Sequence, residues 1–205
     1  IYNDSLVLFM NFDNVSVLGE GSNDNISVDL SGYGNNGTIN GASFANDSVG
    51  GYSLRFDGVG DVVNVTTVSF TTHEQITVLA WAKSNGSDGR IVNTGATNAE
   101  QGFRLGIASS VVTGAMYDGS NNCNGDGSTD VGDNRWHLLA YTYDGAVCRV
   151  YVDGLQEASE TLTLSEVTDT HVPHIGVLAN NYDSLRFNGT IDEVIIYNRH
   201  RYIFF

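Results

Sequence analysis

Two neighbouring stretches of the sequence decide the fold: Arg135-Trp136-His137-Leu138-Leu139-Ala140-Tyr141-Thr142-Tyr143-Asp144-Gly145 and Val150-Tyr151-Val152-Asp153-Gly154. Each is a strand-length run, rich in Val, Tyr and Leu, in which apolar and polar residues alternate. Each run ends in Asp-Gly, and glycine adopts the positive φ of a tight hairpin turn at low cost. The two stretches therefore predict antiparallel strands joined by hairpins.

Runs of the same kind recur along the chain, between clusters of Gly, Asn and Asp. Together with the two opening stretches they cover residues 5–12, 52–56, 62–65, 76–82, 102–107, 137–143, 147–152 and 190–197. Further Asp-Gly pairs at 57–58 and 118–119 predict hairpin turns, and no segment has a sustained apolar stripe at helical spacing. This pattern is typical of an all-β fold, a two-sheet antiparallel β-sandwich or jelly roll. The polar segment 121–133 is interpreted as a long loop.

The chain has 205 residues and no Pro- or Ser-rich linker. We therefore expect a single domain over residues 1–205, with a short apolar tail at residues 200–205. No run of about 18 apolar residues occurs, so the sequence predicts no membrane span.

The charge balance excludes several kinds of partner. Nine Lys and Arg stand against 24 Asp and Glu, which gives a formal charge of −15. Nucleic acids and anionic membranes are bound by clustered Lys and Arg, so neither is an expected partner. An acidic surface favours either solubility through self-repulsion or the binding of cations.

Potential N-glycosylation sites are more frequent than the composition predicts. With 21 Asn and 34 Ser plus Thr, chance gives roughly three or four N-x-[ST] motifs. The sequence has them at Asn3, Asn14, Asn25, Asn36, Asn46, Asn64, Asn85 and Asn188. This excess indicates an extracellular, secreted or cell-surface glycoprotein.

Cys123 and Cys148 are the only cysteines. In an extracellular domain they most simply form one disulfide, and the alternative is two unpaired buried thiols.

Several landmarks follow one another in a fixed order around the opening stretches. They are Phe12-Asp13, Asp29-Leu30-Ser31-Gly32-Tyr33-Gly34-Asn35-Asn36-Gly37-Thr38, Ser53-Leu54-Arg55-Phe56-Asp57-Gly58, Ile76-Thr77-Val78-Leu79-Ala80-Trp81 and Asn188-Gly189-Thr190-Ile191-Asp192-Glu193-Val194. This series resembles the laminin-G-like jelly-roll domains of the concanavalin A-like lectin/glucanase superfamily, especially those of bacterial and archaeal surface proteins. The resemblance runs from about Ser5 to Arg199. It implies a sandwich whose first and last strands pair. Trp81, Trp136 and Phe56 are interpreted as core aromatics, and the alternative is an exposed platform on which a sugar stacks.

The same resemblance implies one structural calcium ion, where the N-terminal loop meets the last strand. The matching residues are Asp13, Asp29, Asn36 and Asp192. Calcium takes oxygen ligands of this kind from irregular loops. The alternative is that Asp29 and Asn36 form Asx turns and that Asp192 accepts hydrogen bonds from backbone amides.

Lectin-like sites on sandwiches use loops that carry Asn, Asp and aromatic rings. Residues 93–101, 117–130 and 180–186 are candidate loops, with Tyr117 and Tyr182 as rings on which a sugar would stack; the alternative is ordinary solvated loops. Catalysis is not expected, because Glu157 and Glu160 lack the spacing of a carboxylate pair on one strand face. Asp192 and Glu193 would point to opposite faces of a regular strand.

Two functions remain. The first is a non-catalytic extracellular laminin-G-like module that binds carbohydrate or protein ligands at the cell surface. The second is a self-assembling glycosylated subunit of a filament or surface layer, associating through its terminal strands and apolar tail. The first predicts an accessible binding face on a monomer, and the second predicts terminal strands engaged with neighbouring copies.

Overall fold

The computed structural model describes residues 5–20, 25–65, 75–95, 101–165, 167, 171–178 and 185–203. Within these ranges the regular elements are β-strands, apart from one short 3-10 helix at Ser16–Leu18. The strands are β1 (Leu6–Met10), β2 (Ile26–Ser27), β3 (Gly37–Asn40), β4 (Ser43–Ala45), β5 (Ser53–Asp57), β6 (Val62–Val65), β7 (Ile76–Ser84), β8 (Gly89–Asn93), β9 (Gln101–Ala108), β10 (Val111–Asp118), β11 (Asn122–Asp126), β12 (Trp136–Tyr143), β13 (Val147–Val152), β14 (Leu155–Thr161), β15 (His174–Ile175) and β16 (Asn188–Tyr197).

These strands form two antiparallel sheets packed face to face, which confirms the predicted jelly roll. The first sheet has the order β14-β13-β12-β7-β16-β5-β4, and β1 lies beside β16. The second has the order β11-β10-β9-β8-β15-β6-β3-β2. The first and last strands pair as expected, with Leu8 opposite Ile196 and Met10 opposite Val194.

The core lies between the sheets and is built by alternation along each strand. Tyr141 of β12 is fully buried there and donates a hydrogen bond of 2.8 Å to the carbonyl of Cys123. Its ring lies against Gly114 of β10, where a Cβ atom would come within 2.5 Å of Tyr141 Cδ2. Glycine at position 114 is therefore what lets the two sheets approach at this point.

Two of the three predicted core aromatics lie elsewhere. Phe56 is fully buried in the core, but Trp81 and Trp136 are half-buried on the outer face of the first sheet. The register explains the error: Trp81 alternates with Ala80 and Ala82, which point inward.

Three of the four Asp-Gly pairs close hairpins. They join β10 to β11, β12 to β13 and β13 to β14. In the last of these turns Asp153 and Gly154 have φ of 50° and 82°, as a two-residue hairpin requires. The pair at 57–58 instead carries the chain from β5 of the first sheet to β6 of the second, so the hairpin predicted there is wrong.

The predicted long loop at 121–133 is wrong in its first half, because β11 pairs there with β10. Cys123 of β11 forms a disulfide with Cys148 of β13, with 5.9 Å between their Cα atoms. The predicted disulfide is therefore confirmed, and it joins one edge of the second sheet to the first.

After β16 the chain turns back over the outer face of the first sheet. Thr77 Oγ1 donates to the carbonyl of Arg199 and accepts from the backbone N–H of Arg201, at 3.0 and 2.8 Å. Ile203 is buried there against Ala140 and Tyr151. The apolar tail thus packs on its own chain as far as Ile203, and residues 204–205 lie outside the described residues. Within the described part of the chain, no helix is both long and apolar enough to cross a membrane.

Candidate functional site

An apolar groove of about 470 Å³ lies on the outer face of the first sheet. It is lined by Val49, Gly50, Leu79, Trp81, Leu138, Glu193, Ile195 and Tyr197. The C-terminal tail covers the neighbouring part of this face, around Ala140 and Tyr151.

A β-bulge in β16 places two acidic residues at one end of this groove. β16 pairs with β5 as far as Ile191 and with β1 from Val194 onward, and its register against β7 shifts between Asp192 and Ile195. Glu193 has a φ of 50°. Asp192 lies opposite Trp81 on the outer face, and Glu193 lines the groove on that same face. The expectation that these two side chains point to opposite faces fails because the bulge breaks the alternation.

The turn after β4 binds these acids through its backbone. Asp192 is fully buried and accepts hydrogen bonds from the N–H groups of Val49 and Glu193, at 3.1 and 2.9 Å. Asp13 accepts one from the N–H of Tyr52, at 3.1 Å. Gly51 has a φ of 71°, and a Cβ atom there would collide with the Asp13 carboxylate. Glycine is therefore required for this contact.

The cluster concentrates negative charge. Burial raises the pKa of Asp192 to about 7, and the nearby charges of Glu193 and Asp13 contribute. Burial likewise raises the pKa of Glu193, with a contribution from Asp13. None of the ion pairs formed between described residues involves Asp13, Asp192 or Glu193. Uncompensated carboxylates of this kind suit a divalent cation.

The other two predicted calcium ligands lie in a separate hydrogen-bond network. The Asp29 carboxylate accepts four hydrogen bonds, from the N–H groups of Phe9, Ser31 and Asn35 and from Ser31 Oγ. Asn36 Oδ1 accepts from the N–H of Asp29, at 2.9 Å. These bonds tie the 29–36 loop to β1, which is the Asx-turn arrangement.

The described part of the chain contains one compact group of three side chains that could bind a metal ion. Within the described ranges, only Cys123, Cys148 and Glu160 bring three candidate ligand atoms within 4.8 Å of one another, and the two cysteines are already bonded in the disulfide. A cation at the bulge would therefore need backbone carbonyls as well as Asp13 and Asp192.

A second candidate site lies on the outer face of the second sheet. Side chains that are opposite one another in an antiparallel ladder share a face, and Arg104 lies opposite Asn93, which lies opposite His174. Arg90 and Tyr117 occupy outward positions on the strands either side of β9. We call this set, Arg90, Asn93, Arg104, Tyr117 and His174, the arginine face.

The two arginines lie side by side without an acidic partner. Arg104 Cζ is 5.3 Å from the centroid of the Tyr117 ring. Arg90 is only 7% exposed and lies over Gly106, where a Cβ atom would come 3.4 Å from Arg90 Cδ. Neither guanidinium forms an ion pair with any described carboxylate. Their Nε atoms, and Asn93 Oδ1, are buried without a hydrogen-bond partner in the described part of the chain.

Burial and the nearness of the two arginines shift the pKa values of Arg90 and Tyr117. Burial, followed by the charge of Arg104, lowers the pKa of Arg90 to about 10, so Arg90 is still charged at neutral pH. Burial raises the pKa of Tyr117, although both arginines oppose that shift.

Of the two predicted sugar-binding rings, Tyr117 belongs to the arginine face and is 7% exposed, with Arg104 against its ring. Tyr182 lies outside the described residues. Sequence reasoning missed both arginines. The available signal was the run Gly102-Phe103-Arg104-Leu105-Gly106, whose alternation places Arg104 between two outward glycines.

The glutamates weighed for catalysis hold loops instead. Glu157 accepts hydrogen bonds from the backbone and hydroxyl groups of Ser128 and Thr129, which lower its pKa to about 2. Glu160 accepts from the N–H of Asn124, at 2.8 Å. Both connect β14 to the segment that begins at β11.

None of the described sequon asparagines is buried. Asn25, Asn36, Asn46, Asn85 and Asn188 are exposed, and Asn14 and Asn64 are half-buried. Asn3 lies outside the described residues.

Together the fold and the two outer faces define a laminin-G-like sandwich. The family model Laminin_G_3, described as the concanavalin A-like lectin/glucanases superfamily, matches residues 57–201, well over half of the chain. The chain belongs to this family. No curated protein matches the sequence significantly.

Similar solved structures include binding domains of toxins. The binding domain of Paraclostridial Mosquitocidal Protein 1 is 17% identical with a TM-score of 0.71, over 98% of this chain and 50% of that one. The botulinum neurotoxin serotype D ligand-binding domain, in complex with N-acetylneuraminic acid, is 18% identical with a TM-score of 0.68, over 98% and 49%. Domains LG4-5 of the mouse laminin alpha1 chain are 15% identical with a TM-score of 0.58, over 77% and 43%. The present chain thus spans about half the length of the toxin domains.

Proposed function

We propose that this protein is a non-catalytic extracellular module that binds carbohydrate at a cell surface. The observation that supports it most lies in the arginine face, where Arg90 Nε, Arg104 Nε and Asn93 Oδ1 are buried without a hydrogen-bond partner among the described residues. Polar groups left unpaired at low exposure are costly to a fold, and a ligand that pairs with them removes the cost.

The comparisons support a binding role in general terms. Several of the similar solved structures are binding domains, and one of them is in complex with a sugar. Glu157 and Glu160, whose spacing does not suit a glycosidase pair, are occupied by loop contacts. A protein ligand is the alternative within the same class, and it would use the apolar groove beside Trp81.

Extracellular placement has two supports. The disulfide joins the sheets in a manner typical of oxidising compartments. The described sequon asparagines lie at exposed or half-buried positions, where an N-linked glycan fits.

We also propose that one calcium ion binds at the bulge, through Asp13 and Asp192 with backbone carbonyls of the turn after β4. The charge of Asp13, Asp192 and Glu193 supports this, and the ion would fix the turn that forms one end of the apolar groove. Asp29 and Asn36 are weaker candidates, because they lie in a separate network in which the Asp29 carboxylate accepts four hydrogen bonds, against two at Asp192.

Self-assembly through the terminal strands stays a prediction of the sequence. β1 and β16 pair with each other in the same chain, and Ile203 packs against its own sheet. An assembly through these segments would have to displace or extend contacts that one chain already makes.

A glycan array with the purified glycoprotein, combined with mass photometry, tests the proposed function. We expect a monomer that retains a defined group of glycans, both with and without a calcium chelator. Filaments together with an empty array would contradict the proposal.

A further inference from the structure

We propose that Arg90 and Arg104 form a subsite for the oxyanion of an acidic saccharide, a sugar bearing a carboxylate or a sulfate. This inference rests on the proposed function and names the chemical class of its ligand. It assigns specificity to the second sheet rather than to the apolar groove on the first.

The distribution of charge along the chain favours an anionic ligand at these two arginines. The chain carries 24 acidic and nine basic residues, so a partner for any arginine is easily supplied. Lys83, Arg135 and Arg149 each have a carboxylate within 4.0 Å. Arg90 and Arg104 stand beside each other instead, and no described carboxylate pairs with either. Asp88 and Asp126 act on Arg90 only through longer-range attraction.

Without a ligand, the placement of these two arginines is costly to the fold. Arg90 is 93% buried, given its 7% exposure, and each arginine repels the other. A buried charge is normally paired and hydrogen-bonded, because desolvation otherwise costs several kcal/mol. An oxyanion between the two guanidinium groups would relieve both the repulsion and the missing hydrogen bonds.

The donor geometry of the two guanidinium groups also fits an oxyanion. Guanidinium groups bind carboxylate and sulfate through paired N–H donors, and both Nε–H groups here are unused within the described residues. Arg104 is only half-buried as a residue, and the Tyr117 ring supports its guanidinium from one side. Gly106 leaves the space that Arg90 occupies.

The side chain of Asn93 favours a saccharide over a simple anion. Asn93 is fully buried, and its Nδ2 donates to the carbonyls of Thr94 and Gly95, at 3.2 and 3.0 Å. That fixes the amide and leaves Oδ1 as an oriented acceptor, opposite Arg104 in the ladder. Hydroxyl donors next to an oxyanion are what an acidic sugar offers, and inorganic phosphate at neutral pH offers them poorly.

Isothermal titration calorimetry with three matched pairs of probes tests the proposal. The pairs are trigalacturonate with its methyl ester, sialyllactose with lactose, and 6-sulfo-N-acetyllactosamine with the unsulfated sugar. We expect at least one acidic member to bind at least tenfold more tightly than its neutral partner, and the pair concerned distinguishes carboxylate from sulfate.

Variants then assign the effect to the arginines. Arg104→Gln should lower the affinity for the acidic sugar by about tenfold or more. Arg104→Lys should recover only part of that affinity, because lysine restores the charge without the paired N–H donors of a guanidinium group. Arg135→Gln is the matched control, since Arg135 is exposed and paired with Asp133 elsewhere. Arg90→Gln should act like Arg104→Gln, and Arg104 carries the test if that variant does not fold.

The remaining outcomes separate the two proposals. Equal binding of acidic and neutral sugars, or acidic-sugar affinity unchanged in folded Arg104→Gln, overturns the subsite and leaves the carbohydrate-binding function standing. Binding of no saccharide, acidic or neutral, overturns both. A response to free sulfate as strong as to the sulfated sugar overturns the saccharide assignment.

Discussion

At the residue scale, the bulge and the turn over it depend on a few side chains. Asp192 is buried because it satisfies the N–H groups of Val49 and Glu193, and Gly51 allows Asp13 to reach the same turn. The order of this region therefore rests on one glycine and two carboxylates.

Gly51→Ala tests this dependence. The alanine would have a strained positive φ and would collide with the Asp13 carboxylate, so we expect a loss of about 1–3 kcal/mol in the free energy of unfolding, measured by urea denaturation. Gly50→Ala is the control one residue away, because nothing lies within 4 Å of a Cβ atom there. Equal stability of the two variants would show that the turn does not need its contact with Asp13.

Calcium should act through the same residues. We expect calcium to raise the melting temperature, and to do so more at pH 8 than at pH 5. The reason is that Asp192, with its pKa raised to about 7, keeps its proton in acid and competes with the cation. Differential scanning fluorimetry with calcium, magnesium or chelator measures the effect.

Two substitutions separate the candidate ligands. Asp192→Asn should abolish the calcium response, whereas Asp29→Asn should keep it and lower stability through its lost acceptor. A response that disappears in Asp29→Asn and persists in Asp192→Asn would place the ion in the 29–36 loop.

At the element scale, the edge formed by β11, β13 and β14 joins the sheets covalently. The disulfide closes a segment with a sequence separation of 25. A loop of that size corresponds to about 3.5 kcal/mol of stabilisation through the unfolded state. Cys123→Ala combined with Cys148→Ala should therefore lower the free energy of unfolding by roughly that amount, as measured by chemical denaturation. A change below about 1 kcal/mol would mean that Glu157 and Glu160 hold this edge without the disulfide.

We expect the stability of the protein to depend on pH through Asp118, in the hairpin between β10 and β11. Burial alone would raise the pKa of Asp118, but N–H donors from Asn121, Ser165 and Ser120 bring it down to about 2. A depressed pKa contributes stability above the unfolded value near 4, and that stability is lost as pH falls towards 2. Asp118→Asn should accordingly be less stable than the native protein at pH 6, by about 2 kcal/mol, with the difference disappearing near pH 2. A difference independent of pH would exclude the charge of Asp118 as its source.

Some of the strands could be predicted from the sequence, and others could not. Alternation and Asp-Gly turns predicted β12 and β13, because both signals are local. β11 was missed because its sequence, Asn122-Cys123-Asn124-Gly125-Asp126, is almost wholly polar and becomes a strand only by pairing with β10. Arg90 lies close to Arg104 because of the register of β8 against β9, including its irregularity between Arg90 and Val92. No local sequence pattern encodes that register.

At the scale of the whole molecule, the two sheets offer outer faces of different character. The first presents the apolar groove, with Trp81 and Tyr197 in its lining and the C-terminal tail beside it. The second carries the largely buried arginine face, which brings the positive charges of Arg90 and Arg104 together within an otherwise acidic chain. The first suits a protein surface, and the second suits an acidic sugar.

We expect the outer face of the second sheet to bind the acidic saccharide. Chemical-shift mapping of the folded glycoprotein is the measurement that locates this binding. The most tightly bound acidic saccharide would be titrated into ¹⁵N-labelled protein while amide resonances are followed. We predict that the largest shifts fall in β8, β9 and β10, around Arg90, Arg104 and Tyr117. Shifts centred instead on Val49, Trp81 and Tyr197 would contradict the account and assign binding to the groove of the first sheet.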